Sequence, residues 1–198
     1  MRIVVSGSHS TGKTTLVADL AARLPGYVAI EEPYYALEAE GHAFATPPGI
    51  DDFEALVERA TTSLADHADP NAIFDRGPID YLAYLAVVSR DATSVMSVGL
   101  PKVLAALTSI DLVLFVPIEE PDRMADFDIE ARGLRRRADA LLSSVLLEDA
   151  WRLNLPVLRV AGAPADRTSQ AAAWLGSARV TGGASNLPIR ARPNDRVS

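Results

Sequence analysis

MRIVVSGSHSTGKTT, the stretch from Met1 to Thr15, joins an apolar run to a glycine-rich turn and then to a helical pattern. Residues 3–5 are apolar and β-branched, as in a short buried strand. Residues 7–14 follow the spacing G-x-x-x-x-G-K-[ST], and apolar residues at helical intervals come directly after them. A strand, a glycine-rich turn and a helix in this order predict a loop whose backbone N–H groups surround a phosphate chain.

Each residue type in this loop has a physical role. Gly7 and Gly12 permit the dihedral angles and the close backbone approach that a tight turn needs. The helix that starts near Lys13 adds unpaired N–H groups and the positive end of its dipole. Lys13 reaches the outer phosphates, and Thr14 offers a hydroxyl to Mg²⁺. The predicted nucleotide-binding residues are Gly7, Ser8, His9, Ser10, Thr11, Gly12, Lys13, Thr14 and Thr15. A glycine-rich turn with a solvated lysine is the weaker alternative.

The composition limits the classes of protein to which the chain can belong. The chain has 198 residues, 48% of them hydrophobic, which is enough for one sizeable core. It contains no cysteine, so disulfides, thiolate metal sites and cysteine nucleophiles are excluded. A net charge of -7 argues against a general nucleic-acid-binding surface. No apolar run approaches the about 18 residues of a membrane span, and the N-terminus does not look like a signal peptide. We expect a cytoplasmic protein.

Apolar runs and helical patterns alternate along the chain. The predicted strands are residues 3–5, 27–30, 72–74, 111–116 and 155–160. The predicted helices are residues 13–24, 51–69, 78–88, 101–108, 133–153 and 164–176. Residues 34–50 predict a long loop with a helical turn or two, and residues 89–100 a linking segment. This alternation predicts an α/β fold whose parallel sheet is covered by helices on both faces. We expect one domain over residues 1–176 and a mobile tail over 177–198.

Charged residues follow three of the predicted strands. Right-handed crossovers bring the carboxyl ends of all strands to one edge, where such sheets bind ligands. Asp75, after strand three, is placed to hold Mg²⁺ through water, and Arg76 is placed to hold an acceptor or transferring phosphate in bidentate fashion. The alternative is that Asp75 and Arg76 only cap the helix that starts at Pro78.

A carboxylate after strand two is a candidate general base. Glu32 precedes Pro33, which rigidifies the chain there, and it could accept the proton of an acceptor hydroxyl. Alternatively, Glu31 and Glu32 are only a solvated pair of loop residues. Glu31 is the second choice for the base. Tyr34 and Tyr35 come next and either line an acceptor pocket or pack within the loop. His9, His42 and His67 show no metal-ligand spacing.

Arginines mark a predicted lid over residues 117–137, after strand four. Residues 132, 135, 136 and 137 are all arginine. Because successive helical residues point in different directions, at most about two of them can reach the phosphates. We predict Arg132 and Arg136, which lie one helical turn apart, as catalytic residues beside Lys13, Glu32 and Arg76. The alternative is a solvated charged face.

At these residues the chain resembles the P-loop nucleoside and nucleotide kinases. The phosphate loop, a Glu-Pro after strand two, an Asp-Arg after strand three and an arginine-rich lid recur in that order in deoxynucleoside and thymidylate kinases. The chain also looks like small P-loop proteins filed as AAA-type ATPases, including kinase domains that act on nicotinamide riboside. One departure is Gly77-Pro78 after the Asp-Arg, where those families usually have Ser, Tyr or His.

The resemblance implies a three-layer P-loop fold with a sheet of order 2-3-1-4-5. It implies ATP and Mg²⁺ at the phosphate loop, Glu32 as the base, and Arg76 and the lid arginines on phosphates. It also implies that the loop at residues 161–164, with Gly162, packs against the adenine.

The expected function is that of a small-molecule kinase. Its partner is a small-molecule phosphoryl acceptor, and the sequence leaves a homodimer open. The alternative is a nucleotide-binding regulatory ATPase that acts through a protein or lipid partner. A GTPase is disfavoured because no N-K-x-D motif occurs. An oligomeric motor is disfavoured because no Asp-Glu pair ends strand three and no helical lid domain would fit. A degenerate nucleotide binder is disfavoured because the residues of the phosphate site are all present.

Overall fold

The computed structural model describes residues 1–89, 92–122 and 129–180. The strands in this part of the chain are β1 (Arg2–Ser6), β2 (Val28–Ile30), β3 (Ala72–Asp75), β4 (Leu112–Phe115) and β5 (Val157–Arg159). The helices are α1 (Lys13–Arg23), α2 (Pro33–Ala39), α3 (Ile50–Asp66), α4 (Pro78–Val88), α5 (Ala92–Leu107), α6 (Ile129–Leu147) and α7 (Pro164–Val180).

The five strands form one parallel sheet in the order β2-β3-β1-β4-β5. The central strand β1 pairs with β3 on one side and β4 on the other, so that Val5 lies opposite both Asp75 and Leu114. The carboxyl ends of β1 and β3 therefore lie side by side. This order and the parallel pairing confirm the fold that the resemblance implied.

Helices cover both faces of the sheet, as the apolar strands require. Successive strand residues point to opposite faces, so Val4 and Phe74 pack on one side while Ile3 and Val5 pack on the other. The first side is the larger core, which includes buried residues of α3, α4, α5 and α6. The second side holds α1 and α7. The predicted α/β layering is thus confirmed.

Several predicted boundaries were wrong. The predicted link before residue 101 is helical, because α5 begins at Ala92 and contains Pro101. Gly99 lets this helix approach α4 closely, since a Cβ there would lie 3.2 Å from Leu82 Cδ1. Helix α6 ends at Leu147 instead of near 153, and positive φ angles at Asp149, Arg152 and Asn154 turn the chain away from a helical path.

The C-terminal boundary also differs from the expectation. Helix α7 continues to Val180, so the first four residues of the expected tail are helical. The rest of that tail, residues 181–198, lies outside the described residues, as does the middle of the expected lid, residues 123–128. Among the helices of the described ranges, none is long and apolar enough to cross a membrane.

Candidate active site

The candidate site lies at the carboxyl edge of the sheet, around the loop that joins β1 to α1. Two positions in this loop depend on glycine. Gly7 has a φ of 150°, and a Cβ there would lie 2.3 Å from the carbonyl oxygen of Val116. Gly12 has a φ of 89° and is the N-cap of α1 in the left-handed conformation. Side chains at these positions would change the path of the loop, which is the reason that the spacing contains glycines there.

Asp80 anchors the start of this loop, and sequence reasoning missed it. Its carboxylate is fully buried and accepts hydrogen bonds from the Ser6 hydroxyl at 3.0 Å and the Gly7 N–H at 2.8 Å. The Gly77 N–H donates to its second oxygen at 3.1 Å. Burial raises the pKa of Asp80, and the nearby Arg76 opposes this. The available signal was an acidic residue at the third position of a helix that begins with proline, a position typical of capping.

The Lys13 side chain lies inside the loop. Its Nζ donates a hydrogen bond to the Ser8 carbonyl at 2.6 Å, and only 4% of the residue is exposed. Burial, reinforced by the positive charge of Arg76, lowers the pKa of Lys13 to about 7. Bound phosphates would raise this pKa, because they stabilise the charged ammonium.

Thr14 and Asp75 are the predicted metal-binding residues. Asp75 ends β3 and is buried, and its Oδ1 has no hydrogen-bond partner. Burial raises the pKa of this carboxyl, while the nearby Thr14 hydroxyl lowers it. A buried carboxylate oxygen without a partner, beside a hydroxyl at the start of α1, fits a hard cation such as Mg²⁺. The described residues contain no cluster of three or more His, Cys, Asp or Glu that would hold a metal alone.

Arg76 connects the two sides of the site. It has a φ of 72°, which is uncommon for a residue with a side chain. Its Nη1 donates to the Gly7 carbonyl at 2.9 Å. Its Nε lies 2.7 Å from Glu32 Oε1, an ion pair whose N–H is not directed at that oxygen. The N-cap of α4 is Gly77. The structure therefore does not support the alternative in which Arg76 only caps this helix.

The structure separates the two candidate bases. Glu32 is half-buried and accepts a hydrogen bond from the Tyr81 hydroxyl at 3.2 Å, in addition to its ion pair with Arg76. Glu31 is exposed. Pro33 is the first residue of α2, so Glu32 is held at the start of a helix. The geometry therefore places Glu32 in the site and leaves Glu31 in solvent.

Two cavities flank the phosphate loop. The loop cavity has a volume of about 230 Å³ and is lined by Ser10, Thr11, Gly12, Glu119, Arg135 and Arg167, among others. The aromatic cavity has a volume of about 280 Å³, and its walls include Glu32, Tyr34, Phe53, Tyr81, Tyr84 and Leu134. Tyr34 thus lines a cavity, whereas Tyr35 is 50% exposed. The arrangement provides one space beside the phosphate loop and a second space in front of Glu32.

The lid arginine that contacts the phosphate loop is Arg135. Its Nε donates to the His9 carbonyl at 2.7 Å, its Nη1 pairs with Asp122, and only 2% of the residue is exposed. The side chain of Arg136 is 60% exposed, and its Nη2 lies 3.6 Å from Glu120. Arg132 is only partly buried. The structure thus brings to the loop an arginine that the sequence analysis did not select, while catalytic roles for Arg132 and Arg136 stay predictions.

A second arginine supports the loop from α7. Arg167 is buried, and its Nη1 donates to the Thr11 carbonyl. Its Nη2 lies 3.2 Å from Glu119, whose carboxylate also accepts the Gly162 N–H. Gly162, the predicted adenine contact, has a φ of 99°. The sequence analysis did not identify Arg167 or Glu119. A single charged residue on a helix or after a strand does not show which residue it will pair with.

His9 faces the aromatic cavity and is uncharged at neutral pH. Its Nδ1 lies 2.8 Å from the Tyr84 hydroxyl oxygen. Burial lowers the pKa of His9 to about 4, and the positive charges of Arg76 and Arg135 act in the same direction. The ring therefore adds a polar surface to this cavity without adding charge.

Comparisons with solved structures place this site in a known fold. NadR protein in complex with NR has a TM-score of 0.63 at 21% identity, over 94% of this chain and 52% of that chain. Deoxyadenosine kinase from M. mycoides with bound dATP has a TM-score of 0.65 at 16% identity, over 89% and 100%. Thymidylate kinase from Candida albicans has a TM-score of 0.59 at 12% identity, over 90% and 92%. The chain spans about half the length of the NadR protein that it matches.

A sequence comparison identifies the family. No curated protein matches the chain by sequence. The sequence pattern of the AAA domain family matches residues 2–167, which include the phosphate loop, Glu32, Asp75, Arg76 and the arginines of α6. The chain therefore has the fold of the P-loop nucleoside and nucleotide kinases, and it belongs to the AAA domain family.

Proposed function

We propose that the protein is a kinase that transfers the γ-phosphate of ATP to a hydroxyl or phosphate of a small molecule, such as a nucleoside, a nucleotide or a related metabolite. Structures with the same fold support a nucleotide donor, since one holds dATP and another holds NAD and AMP-PNP. Two of the three similar proteins are named as kinases of nucleosides or nucleotides.

The observation that carries the proposal is the position of Arg76, which lines the aromatic cavity beside Glu32 and contacts the phosphate loop. The loop cavity lies beside the phosphate loop, and the aromatic cavity contains the Glu32 carboxylate and Arg76. Arg76 also contacts the Gly7 carbonyl, so the same side chain borders the phosphate loop and the second cavity. Transfer between two bound molecules needs this arrangement, because donor and acceptor must meet at one point in a fixed orientation.

The residues support an in-line transfer to a hydroxyl. The acceptor oxygen forms a bond to the γ-phosphorus while the bond from that phosphorus to the β,γ-bridging oxygen breaks, and ADP leaves with the electron pair. The acceptor proton passes to the Glu32 carboxylate. Lys13 and Arg76 neutralise the charge that develops on the phosphoryl oxygens. Arg135 and Arg167 keep the carbonyl groups of the loop in place.

Thr14 and Asp75 are the residues that would hold Mg²⁺, Thr14 directly and Asp75 through water. The ion would neutralise charge on the outer phosphates of the nucleotide. The partnerless Asp75 Oδ1 is the feature of this structure that fits such a role.

An ATP-consumption screen tests the proposal. The protein is incubated with ATP and Mg²⁺ and with pools of nucleosides, nucleoside monophosphates, vitamin precursors and sugars, and products are identified by mass spectrometry. We expect one pool to yield a phosphorylated product. We expect Lys13→Ala to abolish this activity and Lys102→Ala, which changes the only other lysine of the chain, to leave it unchanged.

Two results would contradict the kinase proposal. Turnover in Lys13→Ala that equals the turnover of the native protein would exclude the phosphate loop as the site. Tight ATP binding without a product from any pool would favour the regulatory alternative, in which a protein or lipid partner senses the bound nucleotide.

A further inference from the structure

We propose that Glu119 is a positioning residue for the donor nucleotide, because it joins the loop at residues 161–164 to Arg167 and, through Arg167, to the phosphate loop. In this role Glu119 lets the nucleoside and the phosphates of one ligand strengthen each other's binding. The inference rests on the proposed function in one respect, since it takes a nucleoside triphosphate as the ligand of the phosphate loop.

The Glu119 carboxylate contacts two groups at the start of α7. Its Oε1 accepts a hydrogen bond from the Gly162 N–H and lies 3.2 Å from Arg167 Nη2. The side chains of Glu119 and Arg167 are 20% and 10% exposed, so both charges lie largely away from water. An ion pair in such a position interacts more strongly than one on the surface, and removal of one partner leaves the other charge buried. A single carboxylate oxygen therefore holds both the loop before α7 and an arginine of α7.

Arg167 carries this contact to the phosphate loop. Its Nη1 donates to the Thr11 carbonyl and would lie 3.0 Å from a Cβ at Gly12. The C=O and N–H groups of a trans peptide point to opposite sides. A Thr11 carbonyl that faces Arg167 thus directs the Gly12 N–H away from it, and a phosphate cradle needs N–H groups that keep one direction. Because Arg167 is buried, its orientation depends on its pairing with Glu119.

The loop at residues 161–164 forms one wall of the loop cavity. Pro164 lines this cavity, and so do Thr11 and Gly12 of the phosphate loop. Further apolar residues on its walls are Pro117 and Ile118. A nucleotide with its phosphates at Gly12 would place its nucleoside in this adjoining space, where apolar walls suit a flat base. Base and phosphates would then each touch one of the two connected loops.

Other contacts of this loop come from the helix that follows it. Gln170 accepts a hydrogen bond from the Ala161 N–H at 3.2 Å and donates to the Ala161 carbonyl at 2.7 Å. Asp166 accepts from the Ala163 N–H at 3.3 Å. Both side chains belong to α7, so they fix the loop relative to its own helix, whereas Glu119 follows β4 and fixes the loop relative to the sheet. Removal of Glu119 should therefore loosen the loop against the cavity while its local hydrogen bonds remain.

Two ligands that differ in the nucleoside test the inference. AMP-PNP contains a nucleoside and a chain of three phosphate groups, whereas tripolyphosphate contains the phosphate groups alone. Calorimetry at one Mg²⁺ concentration gives both dissociation constants, and the constant for tripolyphosphate divided by that for AMP-PNP measures what the nucleoside adds to binding.

The variants separate Glu119 from its neighbours. In Glu119→Ala we expect this ratio to fall about tenfold through weaker AMP-PNP binding, because a buried hydrogen bond to a charged group is lost. Glu120→Ala changes the adjacent carboxylate, whose side chain is 75% exposed, and should leave the ratio unchanged. Arg167→Gln acts on the phosphate loop itself and should weaken both ligands by a similar factor. Thermal unfolding shows whether each variant is folded, and Glu119→Gln, which removes the charge alone, decides if Glu119→Ala is not.

The amide NMR signal of Gly162 gives a second test. Tripolyphosphate has no base, so a response of this signal to it reports the connection between the two loops. We expect the Gly162 N–H signal to shift on addition of tripolyphosphate in the native protein and in Glu120→Ala, and to stay in place in Glu119→Ala. Gly26, which lies beyond the other end of α1, supplies the reference signal.

The outcomes separate this inference from the proposed function. If a folded Glu119→Ala keeps the native ratio, or loses affinity for both ligands equally, Glu119 is only a structural residue and the inference is wrong. A lower ratio in Glu119→Ala without a phosphorylated product in the acceptor screen would support the inference and contradict the kinase proposal. A phosphorylated product with an unchanged ratio would do the reverse. A native protein that does not bind AMP-PNP would contradict both.

Discussion

The carboxylate of Asp80 accepts a hydrogen bond from the Gly7 N–H at 2.8 Å, so a side chain on α4 fixes the first residue of the phosphate loop. Its other oxygen accepts a hydrogen bond from the N–H of Gly77, which is the N-cap of α4. One buried carboxylate therefore joins the ends of β1 and β3, the two strands that are followed by the phosphate loop and by Arg76. The shape of the phosphate loop depends on a residue outside its own sequence pattern.

Asp80→Asn should destabilise the protein and weaken nucleotide binding. The amide oxygen can still accept from Ser6 and Gly7, but the amide NH₂ would then face the Gly77 N–H, donor against donor. Loss of a buried hydrogen bond to a charged group predicts a decrease of about 2–3 kcal/mol in the free energy of unfolding. Urea denaturation measures this change. Asp69→Asn, at an exposed position, is the matched control, and an equal effect of the two substitutions would contradict the role of Asp80.

Lys13 should make stability depend on pH. Its pKa is about 7 in the folded protein against 10.5 ordinarily, so the unfolded chain binds more protons between these values. The free energy of unfolding should therefore rise with pH in this window, and the slope that Lys13 contributes approaches about 1.4 kcal/mol per pH unit. Below this window Lys13 should contribute no pH dependence.

The measurement compares the native protein with Lys13→Met by urea denaturation at a series of pH values. The difference between the two curves isolates Lys13, since all other titrating groups are shared. Parallel curves between pH 7 and 10.5 would show that Lys13 keeps its ordinary pKa in the folded protein.

Glu32→Gln should lower turnover and spare ATP binding. The substitution removes the proton acceptor but keeps the size of the side chain and a partner for the Tyr81 hydroxyl. Loss of general-base catalysis predicts a decrease of about 10²–10⁴-fold in kcat, with the dissociation constant for ATP nearly unchanged. Steady-state kinetics and calorimetry measure the two quantities, and Glu31→Gln is the exposed control. An equal loss of both quantities would make Glu32 a structural residue.

Two neighbouring arginines should differ in their effect on nucleotide binding. Arg135 donates to the His9 carbonyl and is buried, whereas Arg136 is exposed. Because a charged hydrogen bond contributes about 1.5–3 kcal/mol, Arg135→Gln should weaken ATP binding about tenfold or more. Arg136→Gln should change it little. The reverse result would support the sequence-based choice of Arg136 over the position seen in the structure.

Much of the fold was predictable from the sequence, because buried parallel strands are short apolar runs and the phosphate loop marks the first of them. The position of Glu32 and Arg76 at one edge followed from the topology alone. The helix α5 was not predictable over its full length, since Gly99 and Pro101 are poor helix formers. Packing against Leu82 of α4, which needs the small Gly99, overrides that local preference.

The parts of the site that the sequence did not indicate depend on the rotation of helices. Arg135 and Arg136 are adjacent and chemically identical, and only the packing of α6 through Ala138 and Leu142 decides which of them turns inward. Asp80 lies within an apolar helix, where its charge had no assigned partner until β1 and β3 were placed side by side. Tertiary contacts, and not a local sequence pattern, bring these residues into the site.

Helix α6 contributes consecutive residues to different cavities, Leu134 to the aromatic cavity and Arg135 to the loop cavity. A ligand that shifts this helix on one side therefore changes the walls of the space on the other side. By thermodynamic linkage, if binding of the first ligand raises the affinity for the second, binding of the second raises the affinity for the first by the same factor. For the two-ligand kinase proposed above, α6 is the element through which a ligand in one cavity would affect the affinity of the other cavity.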